Sequence, residues 1–462
     1  MNNKSTETLG TKPIGSLLLQ QAIPAAIGIL VMSLNVLVDS IFVGNWIGPL
    51  AMAAINVVLP VSFFIAAIGM AIGIGGSSIL SRALGAGNYE KAVRVFGNQI
   101  SLTILVTTTL AALGLINADY LVAQFGGKGA IFDFAIDYYQ IVLYGVPILG
   151  LNMMGNNVIR AEGKPKFAMY AMIVPSITNL GLDYLFIYKM NLGMTGAAWA
   201  STISYILCFT YILYFFIVYS DLHLHIKSLL FDGAILKEIG ALGSTTLARQ
   251  GIVSLVYLIL NNIVIDLGGE WAVTSYAIIS RLLMFLLFPI IGVTQGFLPI
   301  AGFNYGAKNY DRVIEVIKTA ILYAGALGLV IFIFVMCFPE FIISLFLSNG
   351  NHISESQQLI NSRVLKEAPM AIRLVFCITP IIPLQLIGSA YFQAVGKAKP
   401  AFLLTLTRQG FFLIPLLFIL PNYYGIIGVW ICFAVSDLMS TIITAYFLNR
   451  EIQINLQPRI VD

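Results

Sequence analysis

Two pairs of polar residues lie in long apolar segments of the first half of the chain. Asn179 and Asp183 are four residues apart, and Asn35 and Asp39 repeat the same Asn-x-x-x-Asp spacing. Four residues make about one helical turn, so each pair occupies one face of a helix. A carboxylate at bilayer depth costs about 2.5–3.5 kcal/mol on insertion scales, and it normally faces a cavity or a partner on an ion or proton path. The pairs therefore predict a shared polar site, unless each aspartate is simply solvated near a helix end.

A site with two carboxylates can hold a cation in two ways. Asp39 and Asp183 could share one proton, because two adjacent carboxylates resist carrying two charges. The same oxygens, together with the amide of Asn179, could instead bind Na⁺, which prefers oxygen ligands. The residue types do not decide between H⁺ and Na⁺ as the coupling ion. They predict no other cofactor.

The composition indicates that these segments lie in a membrane. The 462 residues are 59% hydrophobic and 10% charged, with a mean hydropathy of +0.91, whereas soluble proteins carry about 25% charged residues. Apolar runs long enough to cross a ~30 Å hydrocarbon core recur along the chain. They predict an all-α membrane protein with twelve transmembrane helices, at residues 17–42, 51–80, 92–117, 133–158, 167–188, 194–219, 240–266, 272–301, 313–338, 366–393, 401–421 and 425–449. Residues 1–12 are interpreted as a polar leader and not as a cleavable signal.

Lysine and arginine residues predict how these helices are oriented. With the N-terminus inside, 17 of these residues lie in cytoplasmic segments, and 4 lie on the outer side, namely Lys128, Lys189, Arg363 and Lys366. This asymmetry follows the positive-inside rule. We therefore expect a multi-pass protein of the cytoplasmic (inner) membrane with both termini in the cytoplasm. The net charge of +4 reflects this orientation and does not indicate nucleic-acid binding.

Two short sequences of the first half recur in the second half. Residues 82–93 (RALGAGNYEKAV) resemble residues 303–314 (FNYGAKNYDRVI), at an offset of 221 (306 minus 85). Residues 158–166 (VIRAEGKPK) resemble residues 391–399 (YFQAVGKAK), at an offset of 233 (396 minus 163). The first pair follows the second helix of each half, and the second pair follows the fourth. The recurrence therefore indicates an internal repeat.

The repeat predicts two pseudo-symmetric six-helix lobes, 1–219 and 240–462, joined by a cytoplasmic linker at 220–239. Because six is an even number, both lobes enter the membrane in the same direction. Their pseudo-two-fold axis then lies along the membrane normal, which is typical of transporters whose site lies between the halves.

Six stretches of the chain together resemble the multidrug and toxic compound extrusion (MATE) transporters over nearly the whole length. They are VDSIFVGNWIG (38–48), GGSSILSRALGAGNYEKA (75–92), IRAEGKPKFAM (159–169), TNLGLDYLFI (178–187), GMTGAAWAST (193–202) and GFNYGAKNYDRV (302–313). The second-half pattern ISRLLMFLLFPIIGVTQGFLPIAGFNYGA is most similar to the MepA-like bacterial branch. The resemblance implies a V-shaped pair of lobes that exports amphipathic, usually cationic drugs in exchange for inward H⁺ or Na⁺.

The resemblance also implies which residues bind the coupling cation. The family uses an acid of the first helix, an Asn-x-x-x-Asp pair of the fifth and a hydroxyl of the sixth. The implied set here is Asp39, Asn179, Asp183, Ser201, Thr202 and Asn157, with Asn156 as an alternative to Asn157. Na⁺, if it is the ion, would bind at the first three. One group of the family has acids in the seventh and tenth helices, but the only mid-membrane acid of the second half here is Asp437, which leaves coupling to the first lobe.

A drug chamber of broad specificity needs adaptable side chains, such as methionine and aromatic residues. The predicted chamber residues are Asn35, Met32, Met70, Tyr139, Met153, Met172, Tyr276 and Arg281, with Met154, Met284 and Phe64 as further candidates. Arginine also occurs within or near spans of the second half, at Arg249, Arg281, Arg373 and Arg408. These arginines either pair structurally, for example Arg281 with Asp437, or recruit the acidic group of a zwitterionic or anionic substrate.

Other functions compete with drug export. A flippase for a lipid-linked oligosaccharide or a related lipid precursor shares the superfamily architecture, and the arginines keep this alternative open. An intramembrane aspartyl protease would need Gly-x-Gly-Asp, but Asn-Leu-Gly-Leu precedes Asp183. An ATP-driven pump would need a phosphate-binding loop, which the sequence lacks. We therefore expect a monomeric secondary antiporter, not an enzyme, whose partners are small amphipathic molecules and the lipid bilayer.

Overall fold

The computed structural model describes residues 4–347 and 355–457, and these residues are almost entirely helical. The first half contains α1 (Lys4–Thr11), α2 (Ile14–Trp46), α3 (Pro49–Gly85), α4 (Tyr89–Ile116), α5 (Ala118–Gln124), α6 (Ala130–Ala161), α7 (Pro165–Asp183) and α8 (Gly193–Val218). The second half contains α9 (Gly233–Gly268), α10 (Glu270–Gly306), α11 (Tyr310–Cys337), α12 (Pro339–Ser344), α13 (Glu355–Phe376), α14 (Ile382–Ala394), α15 (Ala398–Leu406) and α16 (Ile414–Glu451). Three π-helical segments extend α7, α15 and α16, at Tyr184–Lys189, Thr407–Leu413 and Ile452–Leu456.

Ten helical runs of the described chain are long and apolar enough to cross a membrane. The last of them, Ala398–Leu456, contains two crossings because the backbone breaks at Gly425, where φ is 57° and ψ is −140°. A Cβ on Gly428 would lie 2.5 Å from the carbonyl oxygen of Leu420. Eight residues of straight helix span about 12 Å, so this close approach means that the chain folds back. The break thus separates the predicted eleventh and twelfth spans.

The tenth predicted span, 366–393, differs from the structure at both its start and its middle. Helix α13 already begins at Glu355 and ends at Phe376, and α14 begins only at Ile382. Pro380 lies in the gap and has no backbone N–H to donate, which favours a break in the helix. With this interrupted crossing, the described residues contain the twelve predicted transmembrane helices, and the all-α membrane fold is confirmed.

The N-terminal residues interpreted as a polar leader contain helix α1, which packs on the second half. Leu9 is fully buried, and its carbonyl oxygen accepts a hydrogen bond from Asn304 Nδ2 at 3.0 Å. The carbonyl oxygen of Lys12 accepts another from Arg312, at 2.8 Å. The start of the described chain is therefore tied to helices α10 and α11.

The first repeated sequence forms a contact between the two halves. Gly85 packs against the backbone carbonyl of Phe303, and Gly306 packs against the backbone carbonyl of Arg82. The 221-residue offset of the repeat converts each pair into the other. This reciprocity is the signature of contact across a two-fold axis. A side chain on either glycine would collide with the opposite backbone, so the close approach requires glycine at both positions.

The second repeated sequence fastens the sixth helix of each half in the same way. Lys164 lies 3.8 Å from Asp221 and donates to the carbonyl oxygen of Tyr219, just after α8. Lys397, which is 233 residues further on, binds Glu451 at the end of α16 with an N–O distance of 2.6 Å. Equivalent lysines therefore hold equivalent helix ends.

The two halves are joined on the side of the membrane that carries residues 219–232, between α8 and α9. We call it the linker side, and it is the side predicted to be cytoplasmic. Ser78 Oγ donates to the carbonyl oxygen of Gln393 at 2.6 Å, and Arg82 forms an ion pair with Glu238 at 2.7 Å. These bonds and the reciprocal glycine contact draw the halves together there.

The linker is attached to the first half through a buried carboxylate. Glu162, just after α6, is only 2% exposed and accepts hydrogen bonds from Ser220 Oγ (2.6 Å) and from the backbone N–H of Asp221 (3.3 Å). Burial raises the pKa of Glu162 from 4.5 to about 7, although the two donors oppose the shift. Helix α9 begins at Gly233 and so includes the end of the predicted linker 220–239, while the lobe boundaries themselves stay predictions.

The buried carboxyl group of Glu162 predicts a pH-dependent stability. Its pKa is higher in the folded than in the unfolded chain, so its stabilising contribution is complete below pH 4.5 and is lost as the pH rises through about 7. The amide of Glu162→Gln stays neutral and keeps an acceptor oxygen for Ser220. We therefore expect the variant to melt at a higher temperature than the wild type at about pH 8 and at a similar temperature at about pH 5. Equal melting curves at both pH values would contradict this, and the exposed Glu315→Gln is the control.

Candidate functional site

Helices α2 and α7 run parallel and pack in register. They are the first and fifth crossings of the membrane, so they point in the same direction. Gly28 contacts Met172, and Asn35 Nδ2 donates to Asn179 Oδ1 at 3.0 Å. Both pairs are 144 residues apart (172 minus 28, 179 minus 35). A Cβ on Gly28 would lie 2.7 Å from the Met172 sulfur, so the absent side chain lets the helices approach closely.

The same register brings the two predicted carboxylates together. Asp39 and Asp183 are also 144 residues apart (183 minus 39), and their side chains interact directly. Asp183 is fully buried, and neither of its carboxyl oxygens accepts a hydrogen bond from a donor within residues 4–347 and 355–457. A buried polar atom without a partner costs about 1–3 kcal/mol. Two adjacent acceptors without a donor form a site that a proton or a small cation would satisfy.

Hydroxyl groups from α6 and α8 complete the surroundings of the aspartates. Ser201 in α8 hydrogen-bonds to the hydroxyl of Tyr138 in α6. Tyr138 is within electrostatic range of Asp39 and Asp183, and Tyr205 is within electrostatic range of Asp39. The structure thus assembles the site from four helices, and the two tyrosines are members that the sequence did not predict.

Two predicted residues, Thr202 and Tyr139, are the sequence neighbours of Ser201 and Tyr138 but point elsewhere. The hydroxyl of Thr202 donates to a backbone carbonyl of α6 at 3.2 Å, and that of Tyr139 donates to a backbone carbonyl of α4 at 3.2 Å. Adjacent residues of a helix point about 100° apart. Tyr138 therefore lies beside the aspartates and Ser201 beside Tyr138, whereas the hydroxyls of Thr202 and Tyr139 bond to the backbone of neighbouring helices.

Asn157 lies apart from the two aspartates, and its assignment to the cation site stays a prediction. Its amide donates to the carbonyl oxygen of Met153 in its own helix at 2.8 Å. Asn157 is 19 residues beyond Tyr138 in α6 (157 minus 138), which corresponds to about 28 Å along the helix axis. Its neighbour Asn156 donates to the carbonyl oxygen of Ala168 at 2.6 Å, also away from the aspartates.

The predicted chamber residues are spread over several environments. Exposed members are Met32, Arg281, Met284 and Phe64; half-buried members are Asn35, Met70, Met153 and Met172; and buried members are Tyr139, Met154 and Tyr276. Asn35 donates to Asn179 and so belongs to the polar cluster of α2 and α7. None of these residues lines either of the two cavities at the interface of the halves that are described below.

The mid-membrane acid of the second half is paired with a different arginine from the one predicted. Arg408 donates from Nε to Asp437 Oδ1 at 2.6 Å and from a terminal nitrogen to Oδ2 at 3.3 Å. The two side chains are 19% and 6% exposed, respectively. Arg281 is exposed, so the expected pairing of Arg281 with Asp437 is wrong. A bidentate ion pair satisfies both oxygens of Asp437 and leaves this acid no free position for a cation.

The MatE family model matches residues 24–185 and 247–419 of the chain. The chain belongs to the MatE family. It is 24% identical to the multidrug export protein MepA of Staphylococcus aureus (strain MSSA476), over 96% of both chains. These two matches confirm the family resemblance that the sequence predicted for this MatE protein.

Solved structures agree with this membership. A multidrug resistance MATE family transporter of the MOP superfamily in an outward-facing conformation matches this MatE protein with a TM-score of 0.88 and 28% identity, over 98% of this chain and 99% of that chain. A MOP superfamily transporter from Pyrococcus furiosus Vc1, for which a reversed polarity of the binding pocket suggests a different function, matches with a TM-score of 0.88 and 28% identity, over 97% and 98% of the two chains. The V-shaped twelve-helix fold is thereby confirmed.

The ion pair of Arg408 with Asp437 predicts that removing one partner destabilises the protein more than removing both. Asp437→Asn leaves the guanidinium of Arg408 without its counter-ion inside the membrane, and we expect a loss of about 3–5 kcal/mol in unfolding free energy. Replacing both residues, with Arg408→Met and Asp437→Leu, should recover most of that loss because no unpaired charge stays buried. Melting of the purified protein in detergent measures both. A double variant as unstable as the single one would contradict a purely structural pair, and Asp266→Asn, at an exposed position, is the control.

Proposed function

We propose that this MatE protein is a secondary active antiporter that exports amphipathic, mainly cationic compounds in exchange for inward H⁺ or Na⁺. The observation that carries the proposal is the contact between Asp39 and Asp183, where the buried oxygens of Asp183 lack a donor. A cation that occupies this site during part of the transport cycle would satisfy these oxygens. The name of the staphylococcal relative, a multidrug export protein, supports drugs as the cargo.

The position of the site supports entry of the ion from the side opposite the linker. Asp39 lies seven residues before the end of α2 at Trp46, about 10 Å along the helix. Trp46 packs edge-on against Tyr188, with ring centroids 5.7 Å apart, beyond the carboxylates. Aromatic residues of this kind are typical of the membrane interface. The halves are joined on the linker side, so a cleft between them would open on the opposite side, towards the outside if the linker is cytoplasmic.

Helix α2 could transmit occupancy of the site to the interface between the halves. Its second part carries Asp39 and packs on α7, whereas its first part packs on α10, where a Cβ on Gly292 would lie 2.7 Å from Ala26. Pro24 lies in this first part and removes one helical hydrogen bond, which makes the helix easier to bend. A cation at the aspartates and a drug between the halves would then favour different conformations, which is the requirement for exchange.

The proposed cation site predicts a loss of transport when either aspartate is replaced. In proteoliposomes loaded with ethidium, we expect the wild type to export the dye under an imposed pH gradient or an imposed Na⁺ gradient. Asp39→Asn and Asp183→Asn should each lower that rate about tenfold or more, because a neutral amide cannot bind the cation. Asp266→Asn, at an exposed position of α9, should transport normally.

The outcomes of this experiment separate the alternatives. Activity under one gradient alone would identify the ion. Full activity of both variants would contradict the assignment of the site. A folded wild-type protein that exports no ethidium under either gradient but moves a fluorescent lipid-linked sugar across the bilayer would favour the flippase, the second candidate that the arginines of the second half support.

Two adjacent tyrosines of α6 provide a matched pair of variants. Tyr138→Phe removes the hydroxyl that binds Ser201 beside the aspartates, and we expect it to slow ethidium efflux about fivefold, since a neutral hydrogen bond contributes about 0.5–1.5 kcal/mol. Tyr139→Phe removes a hydroxyl that bonds only to the backbone of α4, so its efflux rate per folded molecule should match the wild type. Equal rates for the two variants would show that the hydroxyl of Tyr138 takes no part in coupling.

A further inference from the structure

Two adjacent cavities lie at the interface of the halves, the first between them and the second mainly within the second half, and polar residues line much of both. The first is bounded by α3 and α6 of the first half and by α10 and α14 of the second. The second is bounded mainly by α9, α10, α14 and α15. Ile74, Gln295 and Leu298 line both cavities. Their volumes are about 30 and 50 Å³, and since one water needs about 10–15 Å³, each has room for a small chemical group but not for a whole drug molecule.

Each cavity contains an arginine without an acidic partner. Arg160 in the first is 7% exposed, and its guanidinium contacts only neutral groups, the side-chain oxygen of Asn156 at 3.0 Å and the sulfur of Met172 at 3.3 Å. Arg249 in the second is half-buried. Neither arginine forms an ion pair within the described parts of the chain. By contrast, Arg82, Arg94, Arg373 and Arg408 each pair with a carboxylate there.

Other donors in the same cavities are also unused. The hydroxyl of Ser77 in the first cavity and that of Thr245 in the second are buried, and within residues 4–347 and 355–457 neither has a hydrogen-bond partner. Neither cavity is lined by aspartate or glutamate. A buried cation without a counter-ion is costly, and structures normally compensate it with an anion. Two guanidinium groups and two free hydroxyls therefore require an acceptor-rich, negatively charged group.

We propose that these cavities bind the carboxylate or phosphate group of an anionic or zwitterionic amphiphile, held by Arg160 and Arg249. The inference rests on the proposed function in taking the space between the halves as the substrate path. Arginine suits both groups because its planar donors match two oxygens at once. The first cavity has walls from both halves, so a bound anion would also hold the linker side closed. The protein would then accept amphiphiles with a negative group in addition to cations.

The test measures binding, so it does not depend on ion coupling. Purified protein in phosphatidylcholine nanodiscs is titrated with fluorescein, an anion above neutral pH, and with rhodamine 6G, a cation that has the same ring system. We expect Arg249→Gln to weaken fluorescein binding about tenfold, the equivalent of one charge-assisted bond, and to leave rhodamine 6G binding unchanged. Arg450→Gln, which removes an exposed arginine outside both cavities, should bind both dyes like the wild type.

Further variants and lipids make the result decisive. Arg160→Gln, in the first cavity, should weaken fluorescein binding as Arg249→Gln does. Thr245→Val and Ser77→Ala are smaller changes that should each weaken fluorescein binding even if Arg160→Gln fails to fold. Phosphatidylglycerol added to the nanodiscs tests whether the anionic group comes from a lipid or from a dissolved amphiphile. A lipid phosphate is the occupant if this lipid displaces fluorescein from the wild type. It should then also raise the melting temperature of the wild type but not that of Arg249→Gln. Fluorescein binding that is equal in the wild type, Arg249→Gln and Thr245→Val would overturn the proposal, whatever the result with Asp39→Asn or Asp183→Asn.

Discussion

The parallel packing of α2 on α7 determines the chemistry of the first half. A constant register of 144 residues aligns Gly28 with Met172, Asn35 with Asn179 and Asp39 with Asp183. The glycine permits the approach, the amides fix the register with a hydrogen bond, and the carboxylates are then forced together in the membrane. Helix packing therefore holds two groups that repel each other when both are charged. A cation bound there would relieve that repulsion, which would link occupancy of the site to helix packing.

The sequence predicted this pair because identical spacing in two helices of the same direction lets both polar positions meet at once. The twelve crossings followed equally well from hydropathy, since membrane spans have few competing explanations. The sequence could not predict how each helix is rotated about its axis. Ser201 and Thr202, or Tyr138 and Tyr139, are equivalent by type, and only packing decides which one faces the aspartates. For Asn157 the resemblance carried no measure of distance along a helix, and the structure places its amide on its own helix far from the aspartates.

The two halves share a plan but differ in charge. A π-helical segment follows α7 directly after Asp183, and the equivalent crossing of the second half carries Arg408 in the π-helical segment Thr407–Leu413. Such distortions of a helix often occur at functional sites. The two positions are not equivalent, because the 233-residue offset relates Arg408 to Pro175 and not to Asp183. In the first half Asp183 has no donor within the described residues, whereas in the second half Arg408 is bound by Asp437. The two halves thus differ in whether the charged group of this crossing has a partner.

The acidic pair and the two arginines without acidic partners lie in different parts of the molecule. The acidic pair lies within the first half, in the part of α2 and α7 away from the linker. Arg160 lies in the cavity between the halves, and Arg249 lies in the adjacent cavity, mainly within the second half. The first cavity is built from both halves, so a movement that separates the halves on the linker side would take its donors apart, while the α2–α7 pair would stay within one half. A ligand at the arginines and a cation at the aspartates can therefore respond differently to the same rearrangement. This difference in geometry is what coupled exchange between two ligands requires.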